Sequence, residues 1–557
     1  MIRKLLPDLG ILILLLLLPL LLFAPVALGS KTLLPADVLF SFEPYRAAAA
    51  AFGISYPHNH LLADLILENY AWKHFLVEAL RNRELPLWDP FVFAGHPFLA
   101  NGQHSALYPL SLVFYVLPLW RAYGVFAWLQ LGLAGLFTYL FARVLAIRRL
   151  GGLVAGITFQ FSGFMVVSVV HPMVIAGASW LPFILAMIEL VVQQRPALGR
   201  RPATLPWALL GALGLGCLVL AGHGENMYFA LLVTGVYAGW RLLSAAVSRG
   251  VNGGKKGRVR GTLRPVLWLV LMLALGLALG AVQFVPLVEV VATSFRGGEA
   301  AASLQQVLGW AYPWRRLIAF GVPNFFGNPA HHGYFDLFAW RWAPALTFSD
   351  GQYIDWGIKN YVEGGAYLGL LPLFLAFIAV LSANQQIANC KLQIADRHSP
   401  FAIRHSPFVG WLRHPHMPFF TLLSIFSLGC IFGTPLYALV YALPLLKQSH
   451  SPFRWIFPLT LSVAILAGFG VEAVRRSREA GEQGRERDKE TRGQGDKETR
   501  RQGDEKWEAI RHSPFSILHS PTQLLSFSRN PARQSGLLGW VGHVGQSAPQ
   551  PGLLRAD

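Results

Sequence analysis

Charge is what this sequence has least of: 14% of its 557 residues are Asp, Glu, Lys or Arg, against roughly 25% in soluble domains. Because 54% are hydrophobic, a soluble globule is excluded, having no way to bury so much apolar surface. Cysteine is nearly missing as well. Cys217, Cys390 and Cys430 exclude a disulfide framework and offer no metal-ligand spacing, and they read as small apolar side chains. No His-Glu-x-x-His or comparable tight ligand pattern occurs. Acidic residues are outnumbered, which leaves a net charge of +18. The excess falls in loops beside apolar runs and in the tail, where membrane topology and anionic lipid headgroups account for it without a nucleic-acid partner.

Long apolar runs are what the sequence has. Leu9 to Leu28 is almost unbroken and follows Arg3 and Lys4. It is long enough for a hydrocarbon core of roughly 30 Å, and longer than the signal-peptide h-region of about 7 to 15 residues. Further spans are predicted at Ala122–Ala146, Leu153–Val170, Met173–Val192, Leu205–Ala221, Met227–Leu243, Pro265–Val291, Val362–Leu381, Pro418–Val440 and Trp455–Val474. The fold class expected is therefore an all-α polytopic membrane protein of about ten transmembrane helices. The positive-inside rule agrees with this topology. Arg3/Lys4, Arg143/Arg148/Arg149, Arg195/Arg200/Arg201, Lys255/Lys256/Arg258/Arg260, Lys391/Arg397/Arg404 and Arg475/Arg476 all fall on one side, with both termini. Leu107–Leu119 is half a span long and broken by Pro109 and Pro118, so it reads as an interfacial or re-entrant piece.

Two external loops follow, 29–106 and 292–361. The first places Asp37 and Glu43 just beyond the first span, then runs through Leu61–Leu80, where apolar residues at helical spacing predict an amphipathic helix lying in the membrane interface. The string Trp88 to His104 combines turn residues, aromatics and the polar His96, Asn101 and His104, a composition suited to a lipid- and sugar-facing surface. The second loop holds Trp314, Arg315, Arg316, His331, His332 and many aromatics. Its rings fit carbohydrate stacking and burial against the interface equally.

Histidines are one-sided. His58, His60, His74, His96, His104, His171, His223, His331, His332 and His450 all fall external or at the outer boundary, and none lies in a cytoplasmic loop before His398. Imidazoles with carboxylates there could bind phosphate, relay protons or hold a divalent cation, although no spacing selects a metal. His223 and Glu225 sit in a Gly-rich turn at the membrane surface, a candidate site or a tight polar reversal. Lys359 and Glu363 hold a similar position at a later span, and Arg454 enters the last one. Its forked donors suit a lipid phosphate, or an interface anchor.

Five strings carry a family resemblance: Trp88–Gly102, Ala221–Glu225, Gln283–Pro286, Tyr361–Gly369 and Ser451–Trp455. In them the chain resembles bacterial YfhO-type membrane proteins, which are placed with the GT-C-fold glycosyltransferases and their relatives. The resemblance covers residue 1 to about Glu472, interrupted near 384–416. It implies a GT-C-like domain in the bacterial cytoplasmic membrane that takes a sugar from a polyprenyl-phosphate carrier. The acceptor it implies is an envelope glycan, a teichoic-acid-like polymer or a lipid on the extracytoplasmic face. Asp37 stands where such folds place the acid that activates the acceptor hydroxyl or binds a metal, with Glu43 as second carboxylate. His96, Asn101, His104, His223, Glu225, Lys359, Glu363 and Arg454 are the expected substrate contacts.

Domain organisation is read as 1–475 transmembrane, with a cytoplasmic low-complexity insertion at about 384–416, and 476–557 as a disordered cytoplasmic tail. His-Ser-Pro recurs at 398, 405, 450, 512 and 519, and a charged unit repeats over 485–504, so both stretches read as inserted or translated repetitive DNA. Relatives of this type usually continue with further helices and an external domain, so a truncated, non-catalytic copy is one alternative. A transporter or flippase of lipid-linked sugars is another, although it would be expected to place ionisable residues near the midplane in paired repeats.

Overall fold

The computed structural model describes residues 2–55, 62–92, 94–195, 204–293, 302–328, 333–337, 339–344, 361–362, 365–392, 414–443 and 451–511. Two compact units result, Met1–Gly481 and Glu482–Asp557. The first is a helical bundle and carries every site discussed below.

Among the described residues, five helices are long and apolar enough to cross a membrane: Leu119–Val144, Pro172–Val192, Gly224–Val247, Thr262–Val290 and Pro452–Gln483. Two bent pairs, Leu6–Leu17 with Leu20–Ala27 and Arg149–Gln160 with Gly163–Val170, bring the number to seven if each counts as one span. The expected count of about ten is corrected to five to seven. The difference lies in Leu205–Leu220 and Met417–Ile431, of 16 and 15 residues, and in Leu370–Leu392, whose apolar part ends at Ser382. At a rise of about 1.5 Å per residue the first two measure about 22 to 24 Å, short of a core of roughly 30 Å.

Helix is continuous in the backbone from Gly224 to Thr293, and residues far apart along it approach the same loop. A Cβ added at Gly102 would lie 3.0 Å from Gln283 Nε2 and 3.5 Å from the Gly222 carbonyl oxygen. A straight helix would hold residues 224 and 283 about 90 Å apart. Gly222, just before this helix, and Gln283, within it, therefore meet the first loop at one place.

The opposite end of the bundle gathers arginines. Asp8, immediately before the first apolar run, accepts from Arg149 Nη2 at 2.7 Å and from the Tyr139 hydroxyl at 2.5 Å, with Arg143 Nε at 3.3 Å. This ties the first helix to the two that follow. Glu189, fully buried, accepts from Arg241 Nε and Nη2 at 2.6 and 2.7 Å, from Tyr237 at 3.0 Å and from Gln193 at 2.5 Å. A fork-to-fork pair of this kind satisfies two charges that neither span could carry alone.

Small sheet elements are present: hairpins pair Trp88–Asp89 with His96–Pro97 and Gly333–Asp336 with Arg341–Pro344. Leu107–Leu119 holds a 3-10 turn, Pro109–Ser111, and one short α-helix, Leu112–Val116, before the next begins at Leu119 after Pro118, as the half-length of the run implies. The last helix extends from Ile456 to Arg511, so residues 476–511, expected to be disordered, are helical. Proline-free sequence rich in Glu, Arg and Lys favours helix locally, and Arg475 pairs with Glu479 one turn on. The end of the expected insertion is also packed. Pro415 O accepts from Trp240 Nε1 at 3.1 Å, and the His414 ring lies edge-on to Phe469.

Candidate functional site

The first-loop end of the bundle is assembled from four of the strings named above. The Pro452–Trp455 turn is a 3-10 helix, whose successive side chains point about 120° apart. Phe453 and Trp455 are both buried, Phe453 stacked on Tyr312 at 5.4 Å and Trp455 against Phe229 and Phe426 at 5.3 and 5.0 Å. Arg454 between them is turned aside, and its Nη1 donates to Glu225 Oε2. The two side chains are 24% and 15% exposed, dry enough for the pairing to matter.

Glu225 lies in the first turn of the helix after the Gly222–His223 reversal. His223 Nδ1 accepts from the Asn226 N–H at 3.1 Å, leaving the proton on Nε2. Desolvation and the nearby Arg454 charge push the His223 imidazole down to about 3, and the same two causes push His171 down to about 4. Both rings are neutral at pH 7, each a donor and an acceptor rather than a charge. Buried polar atoms without a partner cluster on these same turns: Asn226 Nδ2, Ser451 Oγ and Trp455 Nε1. Such atoms are rare in folded proteins, and a ligand is one means of satisfying them.

One wall is the first loop, docked by a glycine pair. Gly102 and Gly222 have φ of +78° and +87°, and a Cβ on Gly222 would fall 1.9 Å from the Gly102 carbonyl oxygen. Gln283 Nε2 donates to Leu99 O at 2.8 Å and Ser105 Oγ to Ala221 O at 2.7 Å. Asn101, half-buried, ends the short Phe98–Asn101 helix immediately before this contact. His96 sits in the adjacent hairpin with Nδ1 buried and unpartnered.

His104 behaves differently. Its Nδ1 accepts from Ala106 N at 3.0 Å, its Nε2 lies 3.0 Å from Phe98 O, and its ring stacks on Phe98 at 4.3 Å. Both ring nitrogens are committed to holding the loop in shape, and burial followed by the Lys73 charge pushes its pKa down to about 3. Asp37 is half-buried in the first turn of the 3-10 helix Ala36–Ser41. Glu43 is exposed, 3.6 Å from Arg46. Lys359 and Glu363 lie outside the described residues. Among the described residues no group of three His, Cys, Asp or Glu is arranged to hold a metal ion.

The amphipathic helix of the first loop is realised as Tyr70–Arg81, preceded by a π-helical turn at Leu65–Asn69. Its inner face is Leu65, Asn69, Lys73, Leu76 and Ala79, and it packs on protein: Asn69 Oδ1 accepts from Tyr123 at 2.9 Å. Lys73 is a residue that sequence reasoning missed. It donates from Nζ to His104 O at 2.5 Å and lies 4.3 Å from the centroid of the Phe114 ring. Burial pushes its amine down to about 7. The signal was a lysine on the apolar stripe of an amphipathic helix.

A depressed lysine pKa means that the unfolded chain holds the proton more tightly, so the stability penalty is full below pH 7 and fades as pH rises toward the unfolded value. Between pH 7 and pH 9 Lys73 should contribute a gain of about 2 kcal/mol. Thermal unfolding of the detergent-purified protein should show a rise in Tm over that interval, and Lys73→Met should flatten it. Identical slopes in both proteins would remove Lys73 as its source.

No family model matches the chain, and no curated protein matches it. Among solved structures, the apo crystal structure of the Archaeoglobus fulgidus oligosaccharyltransferase is similar, with a TM-score of 0.32 and 12% identity over 74% of this chain and 48% of that one. The chain thus spans about half the length of that protein. The YfhO-type resemblance accordingly rests on the strings quoted for it.

Proposed function

We propose that this chain is a membrane glycosyltransferase. It moves a sugar from a polyprenyl-phosphate carrier to an envelope glycan, a teichoic-acid-like polymer or a lipid acceptor on the extracytoplasmic face of the bacterial cytoplasmic membrane. The first loop faces outward and both termini inward. The observation that carries this reading is the convergence at one end of the bundle of Trp88–Gly102, Ala221–Glu225, Gln283 and Ser451–Trp455, linked through Gly102, Leu99 and the Glu225–Arg454 pair.

The chemistry we propose draws on these groups together with Asp37, whose role comes from the family resemblance. The acceptor hydroxyl oxygen attacks the anomeric carbon, the bond from that carbon to the phosphate oxygen breaks, and the carrier phosphate leaves with the electron pair. Asp37 takes the hydroxyl proton as general base. A guanidinium has five N–H donors, of which a carboxylate occupies two, so Arg454 can hold Glu225 and still meet a phosphate oxygen. Neutral His171 and His223 donate to sugar or phosphate oxygens without adding charge.

Purified full-length protein in liposomes, given labelled polyprenyl-phosphate sugar and an acceptor glycan, should label an acceptor supplied on the first-loop side and leave one on the other side unlabelled. Movement of the labelled lipid across the bilayer with no acceptor labelling would establish a transporter instead.

A further inference from the structure

The arginine-rich end of the bundle contains a cavity of about 300 Å³, some ten times the share of one water in the liquid at about 30 Å³. Its walls come from the turn after Val144, the residues following the Pro172–Val192 helix, the start of the Met417–Ile431 helix and the end of the last span. The Glu225–Arg454 site is not part of it.

Its polar lining is cationic in balance. Arg195 and Arg476 are both exposed at its rim, and among the described residues neither guanidinium is engaged by a carboxylate. The one carboxylate in the lining, Glu472, is occupied: Oε1 accepts from the Arg148 N–H at 3.0 Å and Oε2 from Arg475 Nη2 at 3.1 Å. Gln193 is likewise turned to Glu189. His414 Nδ1 accepts from the backbone N–H groups of His416 and Met417 at 3.2 and 3.0 Å, which leaves Nε2 as the nitrogen carrying the proton. His416 contributes a buried Nδ1 with no partner.

We propose that this cavity binds a phosphate-bearing anion between the guanidiniums of Arg195 and Arg476, with His414 donating from Nε2. Forked guanidiniums match phosphate oxygens in pairs; Arg195 follows the end of the Pro172–Val192 helix and Arg476 stands just past the apolar run of the last one, the depth at which a membrane presents phosphodiester headgroups. An anionic lipid headgroup and free phosphate share this chemistry. The site is independent of the transfer reading and stands if transfer fails.

The test uses the purified full chain in two arms. Native mass spectrometry after exchange into mixed phosphatidylglycerol and phosphatidylcholine measures headgroup retention. Thermal unfolding with inorganic phosphate, against chloride at matched ionic strength, measures the free anion. Expected is preferential retention of phosphatidylglycerol, a Tm rise with phosphate, or both, reduced at least tenfold or abolished in Arg195→Gln/Arg476→Gln and unchanged in Arg81→Gln, an exposed arginine of the first loop. Retention alone assigns a lipid headgroup, and a phosphate-specific Tm rise alone assigns the free anion. The two single variants, each expected to lose part of the effect, keep the test readable if the double variant fails to insert. Wild-type protein that prefers neither probe, or a double variant indistinguishable from wild type in both arms, overturns the site.

Discussion

Arg454→Gln is expected to lower sugar transfer at least a hundredfold and to destabilise the protein by about 3 kcal/mol. The first effect is the size seen when a preorganised electrostatic donor is removed from an active site. The second arises because Glu225, 15% exposed, would keep its charge in a largely dry place without its partner. Two further variants separate the contributions. Arg454→Lys restores the charge but lacks the fork, so it should recover part of the stability and less than a tenth of the transfer. Glu225→Leu/Arg454→Met removes both charges and should return most of the stability, since apolar replacement of a buried pair is often neutral. It should return no transfer. Thermal unfolding and initial transfer rates on the same preparations measure both. A fully active Arg454→Gln would make the pair structural.

Gly222→Ala should undock the first loop. The alanine Cβ would meet the Gly102 carbonyl oxygen at 1.9 Å, and the backbone φ of +87° is one that an L side chain adopts at a cost. Limited proteolysis within residues 88–106 should accelerate at least tenfold, and transfer should fall with it. Gly224→Ala, two residues on, is the control. A Cβ there meets nothing within 4 Å, and in a helix alanine is favoured over glycine by up to about 1 kcal/mol. Equal proteolysis of both variants would mean that the glycine contact does not hold the loop.

Most of the bundle was readable because bilayer-length apolar runs and arginine sidedness are one-dimensional signals. They located the long spans. They could not tell a full span from a short apolar helix, because Leu205–Leu220 and Met417–Ile431 have the composition of spans without the length. Pairings across the bundle were not legible. Glu189 lies within the predicted span Met173–Val192, but that Arg241 is its partner follows only from how two helices pack. His171 was seen as an external histidine, and its nearness to His223 and Arg454 needed the fold. His104 and Lys73 show the converse: a polar residue in a turn-rich string can be there to shape the loop, and a lysine on an apolar stripe can be fully buried. The helical continuation to Arg511 was hidden by composition, since charged repeats without proline suit both a solvated helix and a disordered tail.

The central claim is that the first-loop end of the bundle carries out sugar transfer with Asp37 as base. Membrane vesicles holding wild-type or Asp37→Asn protein at matched expression, supplied with a labelled polyprenyl-phosphate sugar, test it most directly. The account predicts acceptor labelling in the wild type and loss of at least a hundredfold in the variant, with protein level and Tm unchanged. Equal labelling in both would contradict it.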